Sequence, residues 1–302
     1  MPDARPRLAL TLGDPRGIGP EIVAKALGGT SLEAAADFVV VGPSGTGVDV
    51  HESIGVWPRD GAAPDVAGRL AGAAIDRAVQ LALRGEVQGI VTAPIDKGAL
   101  LAGGYDYPGH TEMLAALTGR RTAMMLASDR LRVVLATTHI PLRDVPGAVT
   151  ADAITHAVTL TRAGLTRWFG IPEPRLVLCA LNPHGGDGGR FGREDDEVLG
   201  PVARVLGVAG PYPADTVFVR AMRGEYDAVI APYHDVGMTA IKVASFGHAV
   251  NVTLGLPFPR TSPDHGTALD IAGRGIADPG SMVTAMLECA RMARAVLPAA
   301  RD

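Results

Sequence analysis

Three histidines stand in short polar segments that follow apolar, β-prone runs of the chain: His139, His184 and His234. Ligands of open α/β sheets bind at the carboxyl ends of the strands, so imidazoles in such positions favour one common site over unrelated loop hydrogen bonds. Three neutral imidazoles with one open position form a catalytic zinc site, in which a carboxylate such as Asp235 could orient a ligand. Their separation of roughly 45 to 50 residues is unlike that of metal fingers, so spacing alone does not establish the site.

Other residues could bind an anion. Lys242, Asn251 and Arg260 lie around one predicted strand. An arginine offers a bidentate fork to a phosphate or carboxylate, and a buried lysine can transfer a proton; the alternative is a set of surface groups. His110 stands at a predicted helix start, where backbone N–H groups favour an anion, unless Thr111 is a plain N-cap beside a solvated histidine.

Glycine-rich segments are further candidates for ligand contact. Residues 13–22 read Gly-Asp-Pro-Arg-Gly-Ile-Gly-Pro-Glu-Ile, but a Rossmann fingerprint would need its third glycine at Ile22. Residues 185–192 form either a phosphate- or nicotinamide-binding loop or a simple loop, and residues 264–275 could equally be a helix between two glycine turns. The chain has no Gly-x-x-x-x-Gly-Lys-Ser/Thr, His-Glu-x-x-His or Gly-x-Ser-x-Gly pattern, which weakens nucleotide-hydrolase, zincin and serine-esterase interpretations.

The elements that position these residues alternate along the chain. Apolar β-prone runs and alanine-rich helical stretches predict an α/β fold whose strands are buried on both faces. Residues 123–127 and 131–137 predict an antiparallel hairpin, and therefore a mixed sheet, while residues 42–64 predict a surface loop. Further strands are predicted at 8–12, 38–41, 89–92, 175–179, 228–231 and 249–254, and helices at 20–27, 65–84, 111–117, 150–169, 194–205 and 278–295.

Composition excludes several classes of protein. Of the 302 residues 47% are hydrophobic, and 28 basic against 32 acidic residues give a net charge of −4, which argues against a disordered chain and against a basic nucleic-acid-binding surface. The two cysteines exclude a disulfide scaffold. No apolar run is long enough to span a bilayer and the first residues lack a secretory apolar region, so we expect a cytoplasmic protein with neither nucleic-acid nor membrane partners.

Eight segments, in chain order and spread over nearly the whole length, resemble the 4-hydroxythreonine-4-phosphate dehydrogenase family of vitamin B6 biosynthesis. They lie at 13–22, 92–97, 108–112, 136–144, 182–186, 233–237, 250–257 and 260–268. The resemblance implies a homodimeric, two-domain α/β/α fold with a mixed sheet, like that of isopropylmalate dehydrogenase. Residues 1–130 and 250–302 would form an outer, cofactor-side domain, and residues 131–249 a central domain that carries the metal ligands and the dimer interface.

The resemblance also implies roles for individual residues. NAD or NADP would bind between the domains without a Rossmann motif, and a divalent metal (zinc, magnesium or cobalt) would be held in an active site shared by both subunits. Lys242 or Asp235 would accept a proton, and Asp215 lies in a segment that resembles one near the family's active site. The implied metal ligands are His139, His184 and His234, the substrate contacts are His110, Thr111, Lys242, Asn251 and Arg260, and the cofactor contacts are His265, Gly266, Ala268, Asp270 and Gly273.

The implied reaction is the NAD(P)-dependent, metal-assisted oxidation of 4-phosphohydroxy-L-threonine, a small phosphorylated hydroxy acid. The product, 2-amino-3-oxo-4-phosphooxybutanoate, decarboxylates to 3-amino-2-oxopropyl phosphate in pyridoxal 5'-phosphate biosynthesis. Val236 departs from the family, which often has glutamine after His-Asp. This leaves open a sibling dehydrogenase that acts on 4-phospho-D-threonate or 4-phospho-D-erythronate. An alternative from another class is a catalytically silent module that binds a phosphorylated ligand.

Overall fold

The computed structural model describes residues 5–58, 60–245 and 248–297. Its strands are β1 (Arg7–Thr11), β2 (Asp37–Ser44), β3 (Glu52–Val56), β4 (Gly89–Thr92), β5 (Ala123–Ala127), β6 (Arg132–Leu135), β7 (Leu176–Cys179), β8 (Ala209–Tyr212), β9 (Ala228–Ala231), β10 (Val250–Leu254) and β11 (Arg260–Ser262). Its helices are α1 (Gly19–Leu27), α2 (Pro64–Leu83), α3 (Lys97–Ala102), α4 (His110–Thr118), α5 (Val145–Ala148), α6 (Ala151–Phe169), α7 (Gly200–Leu206), α8 (Ala214–Met222), α9 (His234–Ser245) and α10 (Gly280–Arg294). The chain divides into two compact units, one of residues 1–122 with 256–302 and the other of residues 123–255.

The first unit is built on parallel strands in the order β3-β2-β1-β4-β11. Strands β1 and β4 are buried apart from Arg7 and rich in apolar residues, because helices cover a parallel sheet on both faces. Helix α2 packs on one face through Ala74, Ile75 and Ala78, which join Ala9 and Ile90 of the strands in one buried cluster. This apolar layer supports the polar groups that stand at the strand ends.

The second unit is built on a mixed sheet in the order β10-β5-β6-β9-β7-β8. Strands β10, β5 and β6 are antiparallel neighbours, whereas β6, β9, β7 and β8 are parallel. The predicted hairpin is therefore present as β5 and β6, and the predicted mixed α/β class is confirmed. Val133, Val177 and Val229 from the three central parallel strands are fully buried together.

Several elements differ from the predictions. The loop predicted at 42–64 contains β3, an edge strand whose residues are mostly exposed and whose glycine and proline neighbours hide the strand pattern. Strand β8 has the sequence Ala-Gly-Pro-Tyr, which is atypical of a strand. Helix α9 was not predicted because Gly237 interrupts its apolar pattern. Residues 264–275 form successive turns and no helix.

The described part of the chain contains no helix that combines the length and the hydrophobicity needed to cross a bilayer.

The roles of the two predicted domains stay a prediction: a cofactor side for residues 1–130 and 250–302, and a metal-binding side for residues 131–249.

Gly237 lets α9 lie directly on the sheet of the second unit. His234 is the first residue of α9, so the packing of this helix also positions His234. A Cβ at this buried glycine would lie 2.6 Å from Leu135 Cδ2, 2.9 Å from Val133 Cγ1 and 3.0 Å from the Ala231 Cβ. Real Cβ atoms do not approach so closely, so any side chain here forces the helix and the sheet apart.

We expect Gly237→Ala to lower the free energy of unfolding by about 1–3 kcal/mol, the usual range for overpacking, in spite of the higher helix propensity of alanine. Urea denaturation measures this change. Gly147→Ala on α5 is the matched control, because a Cβ there meets no atom within 4 Å. Equal effects of the two substitutions would contradict the close packing of α9.

Candidate functional site

The three predicted metal ligands follow three neighbouring parallel strands of the second unit. His139 comes after β6, His234 begins α9 directly after β9, and His184 comes after β7. Because β6, β9 and β7 are adjacent and parallel, their carboxyl ends meet at the same edge of the sheet. The sheet therefore directs all three histidine segments to one edge.

His139 and His234 lie together at this edge. Their ring centroids are 5.4 Å apart, with the ring planes inclined by 49°. Asp235 Oδ1 lies 2.7 Å from His234 Nδ1, so this carboxylate fixes the imidazole and leaves Nε2 as the nitrogen that can bind a metal. Both histidines border a cavity of about 100 Å³, which Tyr233 also lines. Burial raises the pKa of Tyr233, so its hydroxyl stays protonated at neutral pH.

His184 is not brought to this pair. Its side chain is exposed, and its ring lies 6.4 Å from that of Phe191 by centroid distance. Within residues 5–58, 60–245 and 248–297, no three His, Cys, Asp or Glu side chains are grouped so that they could hold a metal ion. One chain thus presents a two-imidazole half-site whose donor chemistry fits zinc or cobalt, and a separate exposed imidazole.

In the first unit, Arg260 forms the centre of a possible anion site. Its side chain is only 1% exposed, and Nη2 donates a hydrogen bond to Thr92 Oγ1 at 2.5 Å. Burial lowers the pKa of Arg260 to about 10, so the guanidinium remains charged at neutral pH. A charge buried in this way is stabilised by an anionic partner.

His110 lies close to this charge at the start of α4. Its Nε2 is buried and has no hydrogen-bond partner. Desolvation, and after it the charge of Arg260, hold the pKa of His110 well below its ordinary value of 6.5, so the imidazole is neutral. Gly109, and not Thr111, is the N-cap of α4; Thr111 lies half-buried in the first turn. A buried guanidinium beside an unsatisfied imidazole fits a phosphate or carboxylate ligand.

The other predicted substrate contacts belong to the second unit. Lys242 is exposed on α9, and Asn251 on β10 has a buried Oδ1 without a hydrogen-bond partner. Asp215 is exposed in the first turn of α8 and borders a cavity of about 460 Å³ together with Tyr233 and Val236. The orphaned oxygen of Asn251 is a hydrogen-bond acceptor that a ligand could satisfy.

The predicted cofactor residues lie along the turns of 264–275 in the first unit. Gly17 permits close contact with this segment, since a Cβ there would be 2.8 Å from the carbonyl oxygen of Thr267, which accepts a hydrogen bond from the Ile18 N–H at 2.9 Å. Gly273 borders a cleft of about 790 Å³. The other residues that line this cleft include Arg16, Gly17, Gly45, Trp57 and Gly275. The remaining predicted cofactor residues precede Gly273 on the same segment and are not among those that line the cleft: His265, Gly266, Ala268 and Asp270.

Glu21 and Lys25 of α1 fasten the end of this segment, which sequence reasoning did not reveal. Glu21 accepts hydrogen bonds from the N–H groups of Ala277 at 2.8 Å and Gly275 at 3.3 Å. Lys25 Nζ donates to the carbonyl oxygens of the same two residues and to Glu21 Oε1. The hydrogen bond from Lys25 is the main cause that lowers the pKa of Glu21. The i,i+4 spacing was visible in the sequence, but its distant backbone partners were not.

Polar side chains gathered at the carboxyl ends of parallel strands are typical of α/β enzymes, which bind their ligands there. The family described as "Pyridoxal phosphate biosynthetic protein PdxA" matches residues 30–289. The chain therefore belongs to this family.

Relatives named 4-hydroxythreonine-4-phosphate dehydrogenase support this membership. The protein of Aromatoleum aromaticum is 46% identical over 93% of this chain and 94% of its own, and that of Stenotrophomonas maltophilia is 41% identical over 96% and 98%. The crystal structure of the Klebsiella pneumoniae enzyme superimposes with a TM-score of 0.86 at 38% identity, covering 97% of this chain and all of that one. A terephthalate 1,2-cis-dihydrodiol dehydrogenase from Burkholderia xenovorans is similar at a TM-score of 0.65 and 28% identity, covering 92% and 95%.

We expect Glu21→Ala to release the segment at Gly275 and Ala277, because both amide protons lose their acceptor and Lys25 loses its ion pair. The amide protons of residues 275 and 277 should exchange with solvent roughly 10-fold faster, the effect of losing about one hydrogen bond. Hydrogen exchange followed by mass spectrometry measures this rate. Glu33→Ala, on an exposed side chain of the same unit, should leave it unchanged.

Proposed function

We propose that this chain oxidises 4-phosphohydroxy-L-threonine at its C3 hydroxyl with NAD or NADP. The products are 2-amino-3-oxo-4-phosphooxybutanoate, the reduced cofactor and a proton; the β-keto acid then loses CO₂ to give 3-amino-2-oxopropyl phosphate for pyridoxal 5'-phosphate biosynthesis. The relatives named 4-hydroxythreonine-4-phosphate dehydrogenase support this activity. The observation that carries it is the His139–His234 pair with its orienting carboxylate, a half-site for the metal that assists the oxidation.

The substrate phosphate suits the buried cation of the first unit. Arg260 provides a desolvated positive charge, and His110 and Thr111 provide an imidazole and a hydroxyl beside it. A phosphate ion would offset the cost of burying the guanidinium and satisfy the imidazole nitrogen. Lys242 and Asn251 are the further substrate contacts that we propose.

A divalent metal fits His139 and His234, with His184 supplied by a second copy of the chain. Supporting this homodimer, exposed apolar side chains stand next to the histidines: Ile140 and Leu142 are 39% and 68% exposed, and Phe191 is 51% exposed. Such apolar surface suits contact with another protein surface. Three imidazoles prefer zinc or cobalt to magnesium, which favours oxygen ligands.

Proton transfer requires a base near the substrate hydroxyl. When bound, the metal would polarise this hydroxyl and lower its pKa. Asp235 already accepts the hydrogen bond of His234, so its role is to orient that imidazole. We therefore propose that Nζ of Lys242 accepts this proton.

The nicotinamide cofactor, which would accept the hydride, suits the 790 Å³ cleft of the first unit. Gly17, Gly273 and Gly275 lack side chains and allow the backbone to approach a dinucleotide closely.

The cysteines support a cytoplasmic location. Cys179 and Cys289 are buried free thiols, and burial raises the pKa of each to about 12. Free thiols are typical of proteins in the reducing cytoplasm.

We expect the purified protein to reduce NAD or NADP with 4-phosphohydroxy-L-threonine, and a chelator to stop the reaction. His184→Ala should remove most bound metal and lower kcat/KM at least about 100-fold, since it deletes a metal ligand. His248→Ala, on an exposed histidine outside the proposed site, is the control. Absorbance at the NADH band and metal analysis provide the measurements. Full turnover in His184→Ala would reject the metal site, and metal binding without reduction of either cofactor would favour a binding module.

Val236 supports a second candidate, the oxidation of 4-phospho-D-threonate or 4-phospho-D-erythronate. Its half-buried side chain packs on the core of the second unit and borders the cavity that contains Asp215 and Tyr233. The family often has a glutamine here, so this chain presents methyl groups where a relative presents an amide. That change sits one residue beyond Asp235 and alters the surroundings of the proposed metal ligand.

We expect kcat/KM to be at least roughly 10-fold higher for 4-phosphohydroxy-L-threonine than for either phosphorylated aldonate, because a site built for a polar substrate group rejects analogues that lack it. Val236→Gln should change this ratio more than Val243→Gln on an exposed position of α9. A preference for 4-phospho-D-threonate would replace the first proposal with the second.

A further inference from the structure

A buried carboxylate outside the proposed roles fastens the loop that carries His184. Asp195 is 2% exposed and begins a single π-helical turn, Asp195–Leu199. Its Oδ1 accepts a hydrogen bond from the Leu181 N–H at 2.8 Å, and its Oδ2 accepts from the N–H and the side-chain amide of Asn182, both at 3.0 Å. Three donors thus converge on one carboxylate at the carboxyl end of β7.

The rest of the loop closes around the same asparagine. The Asn182 amide also donates to Glu194 Oε2 at 2.8 Å, and this hydrogen bond helps to lower the pKa of Glu194. Gly192 lies against the amide so closely that a Cβ would come within 2.6 Å of it, and a Cβ at Gly186 would be 2.8 Å from the carbonyl oxygen of Gly192. The two ends of the loop are therefore tied to each other through Asn182.

His184 lies two residues beyond Asn182 and has an unfavourable backbone conformation. Its φ of 54° and ψ of 25° place it in the left-handed region, which is unfavourable for a residue with a side chain unless its surroundings hold it there. The hydrogen bonds from Leu181 and Asn182 to Asp195 hold the backbone on the amino-terminal side of His184.

We propose that Asp195 is a positioning residue, which sets the direction in which the 183–192 loop presents His184 to the metal. The metal role of His184 rests on the proposed function, whereas the hold of Asp195 on residues 181 and 182 does not. Asp195 acts only through the loop and touches neither substrate nor metal.

Asp195→Asn tests this role with little change of volume. The new amide places an N–H donor against a backbone N–H, so at least one of the three hydrogen bonds is lost. We expect the amide protons of Leu181 and Asn182 to exchange at least about 10-fold faster, and Zn²⁺ affinity, measured by competition with a chromophoric chelator, to fall roughly 10- to 100-fold. Asp196→Asn removes the same charge from the exposed neighbouring residue and should change neither quantity.

Combining Asp195→Asn with His184→Ala separates positioning from general support of the fold. If Asp195 acts through His184, adding Asp195→Asn to the His184→Ala variant causes no further loss of the residual Zn²⁺ affinity. A further loss as large as that in the wild-type background would overturn the proposal, as would unchanged amide exchange in Asp195→Asn. Should that variant not fold, Asn182→Ala, which deletes only the side-chain donor, is expected to show the same two effects at smaller size. Absence of Zn²⁺ binding by the wild type would refute the proposed metal site, while amide exchange still decides whether Asp195 holds the loop.

Discussion

The parallel arrangement of β6, β9 and β7 is the constraint on which the proposed metal chemistry depends. The interior positions of these strands are apolar and buried, so the sheet itself offers no place for a polar reacting group. Polar side chains can stand only where the strands end, and parallel neighbours end at the same edge. The pairing of His139 with His234 is the direct result, since β6 and β9 are hydrogen-bonded to each other. His184 belongs to the next strand, and a longer loop carries its imidazole away from that pair.

The buried charge of Arg260 is a second constraint, in the first unit. A guanidinium with 1% exposure is an unfavourable feature for folding alone, because burial removes its hydration shell. Burial, and after it the charge of Arg260, lowers the pKa of His110 and leaves a neutral imidazole beside the guanidinium. Stability by itself would favour an apolar residue at this position. An anionic ligand that bound both Arg260 and His110 would offset the cost of burying this charge.

Strong local patterns predicted most of the fold and the placement of His139, His184 and His234 after strands, but not the separation of His184 from the other two. The apolar strands, the hairpin and the helices α2 and α6 follow from periodicity in one stretch of chain. Strand β3 and helix α9 escaped prediction because Gly55 and Gly237 weaken the local signal, while neighbouring elements stabilise the observed conformation. The partners of Glu21 lie 254 and 256 residues further along the chain, and no local pattern shows them. Asp195 belongs to the acidic run 194–197, and only the fold brings its carboxylate to the end of β7.

Glu21 and Asp195 show the same physical solution in two separate units. Each carboxylate accepts backbone N–H groups at one end of a glycine-rich segment that is predicted to contact a ligand. Glycine lets the backbone approach a phosphate or adopt a left-handed turn, but it also leaves the segment with many accessible conformations. A carboxylate that accepts two or more N–H groups restricts these conformations, since hydrogen bonds to a charged acceptor are stronger than neutral ones. Because the acid stands on a helical turn and not on the segment itself, the glycines remain available to the ligand while their ends are held.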